Sequence, residues 1–154
     1  MKSFIVLLSL VLLTEVIVAQ TKEGLLENNK VFTGAAATKK VYQVIYQLDN
    51  GDAKIIEKAI RNINNTLNDP RLMGKVKIEL VAFSAGTDAF LKGSKYEEDL
   101  KALVQKGVIV SQCNNTLRER KLTRDQIYDF IAVVPSGAGE LVIRQVEGWA
   151  VIKP

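Results

Sequence analysis

The chain has no histidine and a single cysteine, and these two shortages exclude more chemistry than any motif in it supplies. Without histidine the usual neutral-pH acid–base group is missing. With it go the Ser-His-Asp and Cys-His nucleophile arrangements and the commonest transition-metal ligand. One cysteine, Cys113, permits no intrachain disulfide and no Cys-x-x-Cys redox pair. A lone thiol in an exported protein is buried, joined to another chain, or used chemically. Other signatures are lacking too: no dinucleotide or P-loop spacing of glycines, no EF-hand spacing of carboxylates, no cysteine of a lipoprotein signal. No cofactor and no metal is therefore expected.

The N-terminal sequence MKSFIVLLSLVLLTEVIVAQ has the layout of a secretory signal: Lys2 as the positive flank, an apolar run from Phe4 to Leu13, and Ala19 with Ile17 two positions before it as a cleavage site. A membrane-spanning helix wants about 20 nearly uncharged apolar residues, and Glu15 interrupts this run after about ten. The expected organisation is a signal peptide over 1–19, a flexible arm over 20–40, and one α/β domain over 41–154, in a protein that is periplasmic or secreted and keeps no membrane anchor. Removing Lys2 and Glu15 takes one charge of each sign, so the formal net charge stays at +4. The basic residues are interleaved with acidic ones, as in Lys95-Tyr96-Glu97-Glu98 and Arg118-Glu119-Arg120. That is a solvated surface and not a phosphate-binding stripe, so no nucleic-acid partner is expected.

Along the domain, β-rich and helix-periodic stretches alternate. Val41 to Leu48 reads as a strand ending at the turn formers Asp49-Asn50-Gly51-Asp52. Ile55, Ile56, Ala59, Ile60, Ile63 and Leu67 form one stripe of an amphipathic helix that Asp69-Pro70 ends. Lys75 to Ala82 is a second strand, and Tyr96, Leu100, Leu103 and Val104 mark a helix closed by Gly107. Val108 to Cys113 is a short β-branched strand of the kind covered on both faces. A helix starting with an Asn cap follows Cys113, then a capped turn at Thr123 and a strand from Phe130 to Val134. Ser136-Gly137 opens a last helix whose inward positions are expected at Ala138, Leu141, Val142, Gln145 and Val146, with Ile143, and later Val151, off that pattern. Trp149 to Ile152 is the final strand. Such alternation predicts an α/β fold of three layers, with about five mainly parallel strands and helices on both faces.

Cys113 falls at the carboxyl end of a central parallel strand, the rim where ligands gather in open α/β sheets. The helix start after it directs N–H groups and positive dipole toward the sulfur, which favours the nucleophilic thiolate. Against this stands the plain reading of a free cysteine as a small buried hydrophobe. Asn114 and Thr116 can hydrogen-bond a thiolate, and Arg118 or Arg120 can supply a positive charge; the same residues also serve as cap and solvated helix face. Ser136-Gly137-Ala138-Gly139 can bind an anion through its N–H groups or be a packed strand-to-helix turn. Asp49, Asn50 and Asp52 are explained by turn chemistry, and the two Asn-x-Thr matches, at Asn64 and Asn114, by chance.

From Tyr42 to Pro154 the chain resembles the DsrE family, and most of all its small exported members. The resemblance is carried by Gly107-Val108 leading to Cys113-Asn114-Asn115-Thr116-Leu117, by Val133-Val134-Pro135-Ser136-Gly137 and Glu140-Leu141, and by Gln145-Val146-Glu147-Gly148-Trp149-Ala150 with Ile152 and Pro154. It implies a layered α/β subunit that assembles into homotrimers or hexamers. It also implies that Cys113 matches the cysteine which, in cytoplasmic sulfur-relay relatives, accepts sulfane sulfur as a persulfide and hands it to a partner. No second catalytic residue carries over. Export would separate this chain from the cytoplasmic donors and carriers of such a relay, which leaves a sulfur donor or acceptor protein, or a small sulfane compound, as the expected partner. The alternative is an oligomeric binding module in which Cys113 is structural, or a disulfide between chains.

Overall fold

The computed structural model describes residues 21–154, so the proposed signal peptide lies outside the described residues. The chain divides into a unit ending at Ala35 and a second unit from Ala36 to Pro154. In the first, the stretch read as an irregular arm contains a helix, α1 (Lys22–Lys30), capped by Thr21, whose hydroxyl accepts the Gly24 N–H at 3.1 Å. Glu23 in its first turn and Lys30 in its last suit the helix dipole, and none of its residues is buried. A helix with no apolar face to bury leaves no 3.6-residue pattern in the sequence.

The second unit is built on five parallel strands in the order β4-β3-β2-β1-β5. They are β1 (Tyr42–Leu48), β2 (Val76–Ala82), β3 (Ile109–Cys113), β4 (Ala132–Val134) and β5 (Ala150–Ile152). Between them run α2 (Ala53–Asn68), α3 (Glu97–Gln105), the six-residue α4 (Asn114–Glu119) and α5 (Gly137–Val146). Asp52 caps α2 by accepting the Lys54 N–H at 2.7 Å, and a turn of 3-10 helix over Ser84–Phe90 follows β2. Parallel pairing forces each strand to leave at the same rim, so every following helix begins there.

The two faces of the sheet are covered by different chemistry. On one face, Ile56, Ala59, Ile60 and Ile63 of α2, Leu100 and Leu103 of α3, and Leu117 of α4 pack on Val44, Tyr46, Leu48, Ile78, Leu80, Ala82 and Val110. On the other, the apolar cluster is small: Ile45, Val81 and Trp149, with Val134 and Leu141 against them. In its midst sits Glu79, 1% exposed, which accepts a hydrogen bond from Ser111 Oγ at 2.8 Å and pairs with Arg144 Nε at 2.8 Å. The Arg144 guanidinium also reaches Glu140 at 3.0 Å and lies over the Trp149 ring, 4.3 Å from its centroid. Burying a lone carboxylate here would be costly; the pair and the serine hydroxyl satisfy it.

This arrangement corrects the expectation for α5. Its sheet-facing positions are Gly137, Glu140, Leu141 and Arg144, while Ala138, Val142, Gln145 and Val146 are exposed, Val146 at 85%. The apolar stripe that reads as core points away from the sheet, because the ion pair with Glu79 fixes the rotation of the helix. Ile143 and Val151 are exposed as well, at 55% and 38%. Among the described residues of this unit α5 is the helix that packs on this face, against β1 and β2. Strand β4 is shorter than expected at its start, since Ile131 turns into the core beneath α3 and α4. The loop entering β4 is bridged to Leu91 at Ile127, and the Arg124 guanidinium binds the carbonyls of Tyr128, Asp129 and Ile131 at 3.1, 2.9 and 3.0 Å.

Replacing Arg144 by methionine should leave the buried Glu79 side chain without its cationic partner. The expected loss is about 3–5 kcal/mol in urea unfolding, recovered in large part by adding Glu79→Gln. A loss under about 1 kcal/mol would show that Glu79 is held by Ser111 alone.

Candidate functional site

Cys113 is the last residue of β3 and the residue from which α4 departs, with φ −69° and ψ 119°. The cap position expected for an asparagine is thus held by the cysteine itself. Strand alternation puts Cys113 and Ser111 on the α5 side of the sheet and Gln112 on the other. There the Gln112 amide donates to Thr87 Oγ1 at 3.0 Å and to the Cys113 carbonyl at 2.9 Å, pinning the end of the strand from behind.

The thiol is 5% exposed. Burial alone would push its pKa up, but opposing it are hydrogen bonds to the sulfur from the Gly137 backbone, the Thr116 backbone, the Thr116 hydroxyl and the Asn115 backbone, and the balance is a pKa below the ordinary thiol value. The Thr116 hydroxyl is oriented for this, because its oxygen accepts the Ser84 N–H at 3.0 Å and its proton remains for the sulfur. Ser84 reaches that place with φ +50°, a left-handed backbone uncommon outside glycine.

Gly137 is the first residue of α5, and its glycine identity has a steric cause. A Cβ there would stand 2.8 Å from Cδ1 of Phe83 and 3.2 Å from its Cβ and Cγ. The helix start is capped by Ser136, whose Oγ accepts the Gly139 N–H at 3.1 Å. Two helix starts, those of α4 and α5, therefore lie at the ends of β3 and β4 beside Cys113, and groups in both lower its pKa.

The residues proposed from sequence around Cys113 separate into two places. Thr116 is buried, and it is among the groups that lower the Cys113 pKa. Asn114 and Arg118 are exposed and line a neighbouring cleft of about 470 Å³ whose floor is Leu117, Leu122, Val133, Val134 and Pro135. The Arg118 guanidinium donates to Asn115 Oδ1. Arg120 binds the Ser84 carbonyl at 3.0 Å and Asp88 at 2.5 Å. The Ser136-Gly137 turn was legible as a potential anion site, but which anion it faces depends on β4 lying next to β3, with Cys113 opposite Val134. Phe83 and Ser84 carry no sequence signal for a role at the cysteine. Among the described residues, no group of three or more His, Cys, Asp and Glu side chains is placed to hold a metal ion.

Comparisons with known proteins follow the same outline. The profile of the DsrE/DsrF-like family matches residues 39–154. A solved protein of unknown function from Methanobacterium thermoautotrophicum, MTH1491, is 36% identical; the match covers 73% of this chain and 99% of that one with a TM-score of 0.67. The ychN protein of E. coli shares the fold at 15% identity, covering 75% of this chain and all of that one with a TM-score of 0.58. So does a conserved protein of unknown function from Bacteroides thetaiotaomicron, BT1422, at 12% identity and a TM-score of 0.59, over 79% of this chain and all of that one. No curated protein matches the chain. With a family profile spanning the whole sheet and a solved relative aligned over almost its full length, the chain belongs to the DsrE/DsrF-like family.

Proposed function

We propose that Cys113 binds and transfers sulfane sulfur as a persulfide. The observation that carries this reading is the place of Cys113 at the end of β3, beside β4, where α4 and α5 both leave the sheet, with a thiol pKa held below the ordinary value by neighbouring N–H and O–H groups. In the reaction the Cys113 thiolate attacks the outer sulfur of a persulfide or polysulfide. A bond forms from Sγ to that sulfur, the donor's S–S bond breaks, and its electron pair leaves on the donor thiolate, so no added oxidant or reductant is needed. Attack by an acceptor thiolate on the outer sulfur of the Cys113 persulfide returns the chain to its starting state.

A cleft that adjoins the end of β3, lined by Asn114, Arg118 and Arg124 but not by Cys113 itself, supports a small sulfane compound as donor. Its floor is apolar and Asn114 and Arg118 stand at its edge, so an organic sulfane with an anionic group fits its chemistry. The signal-like sequence from Lys2 to Ala19 supports work outside the cytoplasm. The apolar stripe of Val142, Ile143 and Val146 supports assembly with further copies of this chain, as the family resemblance implies, since an all-parallel sheet is ordinarily covered on both faces. The 5% exposure of the thiol favours a second reading, a binding module with a structural cysteine, which the first experiment below separates from sulfur transfer.

Intact mass of the purified protein after exposure to polysulfide should rise by roughly one sulfur atom, reversibly with reductant, and not in Cys113→Ser. An unchanged mass in the folded wild type would leave the binding module.

The rate of alkylation by iodoacetamide should reach half its maximum below pH ~8.5, where an ordinary thiol would. Thr116→Val removes one donor to a charged group and should raise that midpoint by about one unit. Because the folded thiol titrates lower than the unfolded one, wild type should gain stability over Cys113→Ser as pH rises through the folded pKa, in full above ~8.5, and lose the gain as pH falls.

Light scattering should give the mass of an oligomer for wild type and a smaller one for Val142→Glu/Val146→Glu. A monomeric wild type would remove the assembly reading.

A further inference from the structure

The cleft at the end of β3 gathers two arginines whose charge the chain does not compensate. Arg71, Arg120 and Arg144 each hold a carboxylate, from Asp69, Asp88 and Glu79 in turn. The two arginines that line the cleft hold neutral oxygens instead: Arg118 donates to the side-chain amide of Asn115, and Arg124 to the carbonyls of Tyr128, Asp129 and Ile131. Such oxygens orient a guanidinium without cancelling its charge. The Asp129 carboxylate is taken by Lys92 at 3.0 Å. The walls are fixed as well. Lys121 reverses the chain after α4 with φ +55°, and the Leu122 N–H bonds the Leu117 carbonyl at 2.8 Å, which ties the two leucines of the floor together. Arg124 stands on a capped turn in which the Thr123 N–H donates to Gln126 Oε1 at 2.8 Å.

We infer that this cleft is a site for an organic anion, a carboxylate or sulfonate carried on an apolar chain or ring, and that Arg118 is the residue that selects for its charge. Arg124 is committed to the loop carbonyls and contributes its field from a fixed place. Arg118 is exposed and rests on a single amide, so its planar fork can turn to an entering anion and meet it with two N–H groups. An inorganic anion would leave the apolar floor uncovered, and a neutral apolar molecule would leave both charges unanswered, so the cleft discriminates against each. Cys113 does not line it, but Asn114 follows Cys113 in the chain and Val134 faces it across the ladder. The inference deepens the sulfane reading, on which it rests for the ligand's role as donor, while binding itself needs no persulfide.

Three probes separate the requirements: phenylacetate, its neutral amide phenylacetamide, and inorganic sulfate, each titrated into the purified protein and followed by the NMR shifts of the Asn114, Leu122 and Val133 amides. The expected result is saturable binding of phenylacetate about tenfold tighter than of phenylacetamide, with sulfate weaker than both. Arg118→Gln should remove that tenfold advantage and leave the affinity for the amide unchanged, and Arg118→Lys, which keeps the charge but loses the fork, should fall between. A merely structural role for Arg118 would move both probes alike. Cys113→Ser should bind phenylacetate as wild type does. Equal affinities of wild type for phenylacetate and phenylacetamide, an advantage that survives Arg118→Gln, or sulfate binding as tight as phenylacetate overturns the inference, whether or not polysulfide adds sulfur to Cys113. Selective phenylacetate binding by a protein whose Cys113 no sulfane loads overturns the donor reading and leaves the anion site standing.

Discussion

Parallel pairing of the five strands is the constraint from which the rest of the molecule follows. It sends every strand end to one rim and obliges each connection to return through a helix that starts at that rim. Helix starts carry unpaired N–H groups, so the rim collects donors whether or not any ligand is present. Cys113 sits where two of these starts converge, because β3 and β4 are neighbours and α4 and α5 leave from their ends. The sulfur needs no charged side chain beside it; backbone geometry supplies the field.

The balance at the thiol is a contest between burial and hydrogen bonding. Burial is the largest single influence and opposes ionisation, yet the donors from Gly137, Thr116 and Asn115 together outweigh it. A cysteine in an apolar pocket of equal depth would titrate high and stay inert. The difference lies in a serine cap, a glycine and a threonine hydroxyl, and not in the depth at which the sulfur lies.

The strands and helices α2 and α3 were legible because their apolar residues fall on one face at the period of the element, as from Ile55 to Leu67 and from Val44 to Leu48. The family resemblance and the place of Cys113 at a strand end were legible for the same reason. Helix α5 is rotated by about a third of a turn from the expected orientation at 3.6 residues per turn, since its apolar stripe looks like a core stripe and its sheet-facing residues, Glu140 and Arg144, look like surface. Only a buried partner such as Glu79, 65 residues earlier in sequence, inverts that pattern. Gly137 shows a similar limit. Its role at the sulfur and the reason it must be glycine come from β3 and Phe83, both distant along the chain.

The loop that leads into β4 keeps its shape without repeating structure. Its carbonyls at Tyr128, Asp129 and Ile131 all converge on the one guanidinium of Arg124. A planar fork with five N–H groups can serve several oxygens at once, whereas the three-donor point charge of a lysine cannot spread over the same set. Local order in this loop is shared between that side chain and a short antiparallel bridge to Leu91, where the Tyr128 N–H bonds the Phe90 carbonyl and the Lys92 N–H the Gln126 carbonyl. The segment downstream, through Val134 and Ser136 to Gly137, starts from that anchored loop, so the order of a loop on one edge of the sheet bears on the sulfur of the adjoining strand.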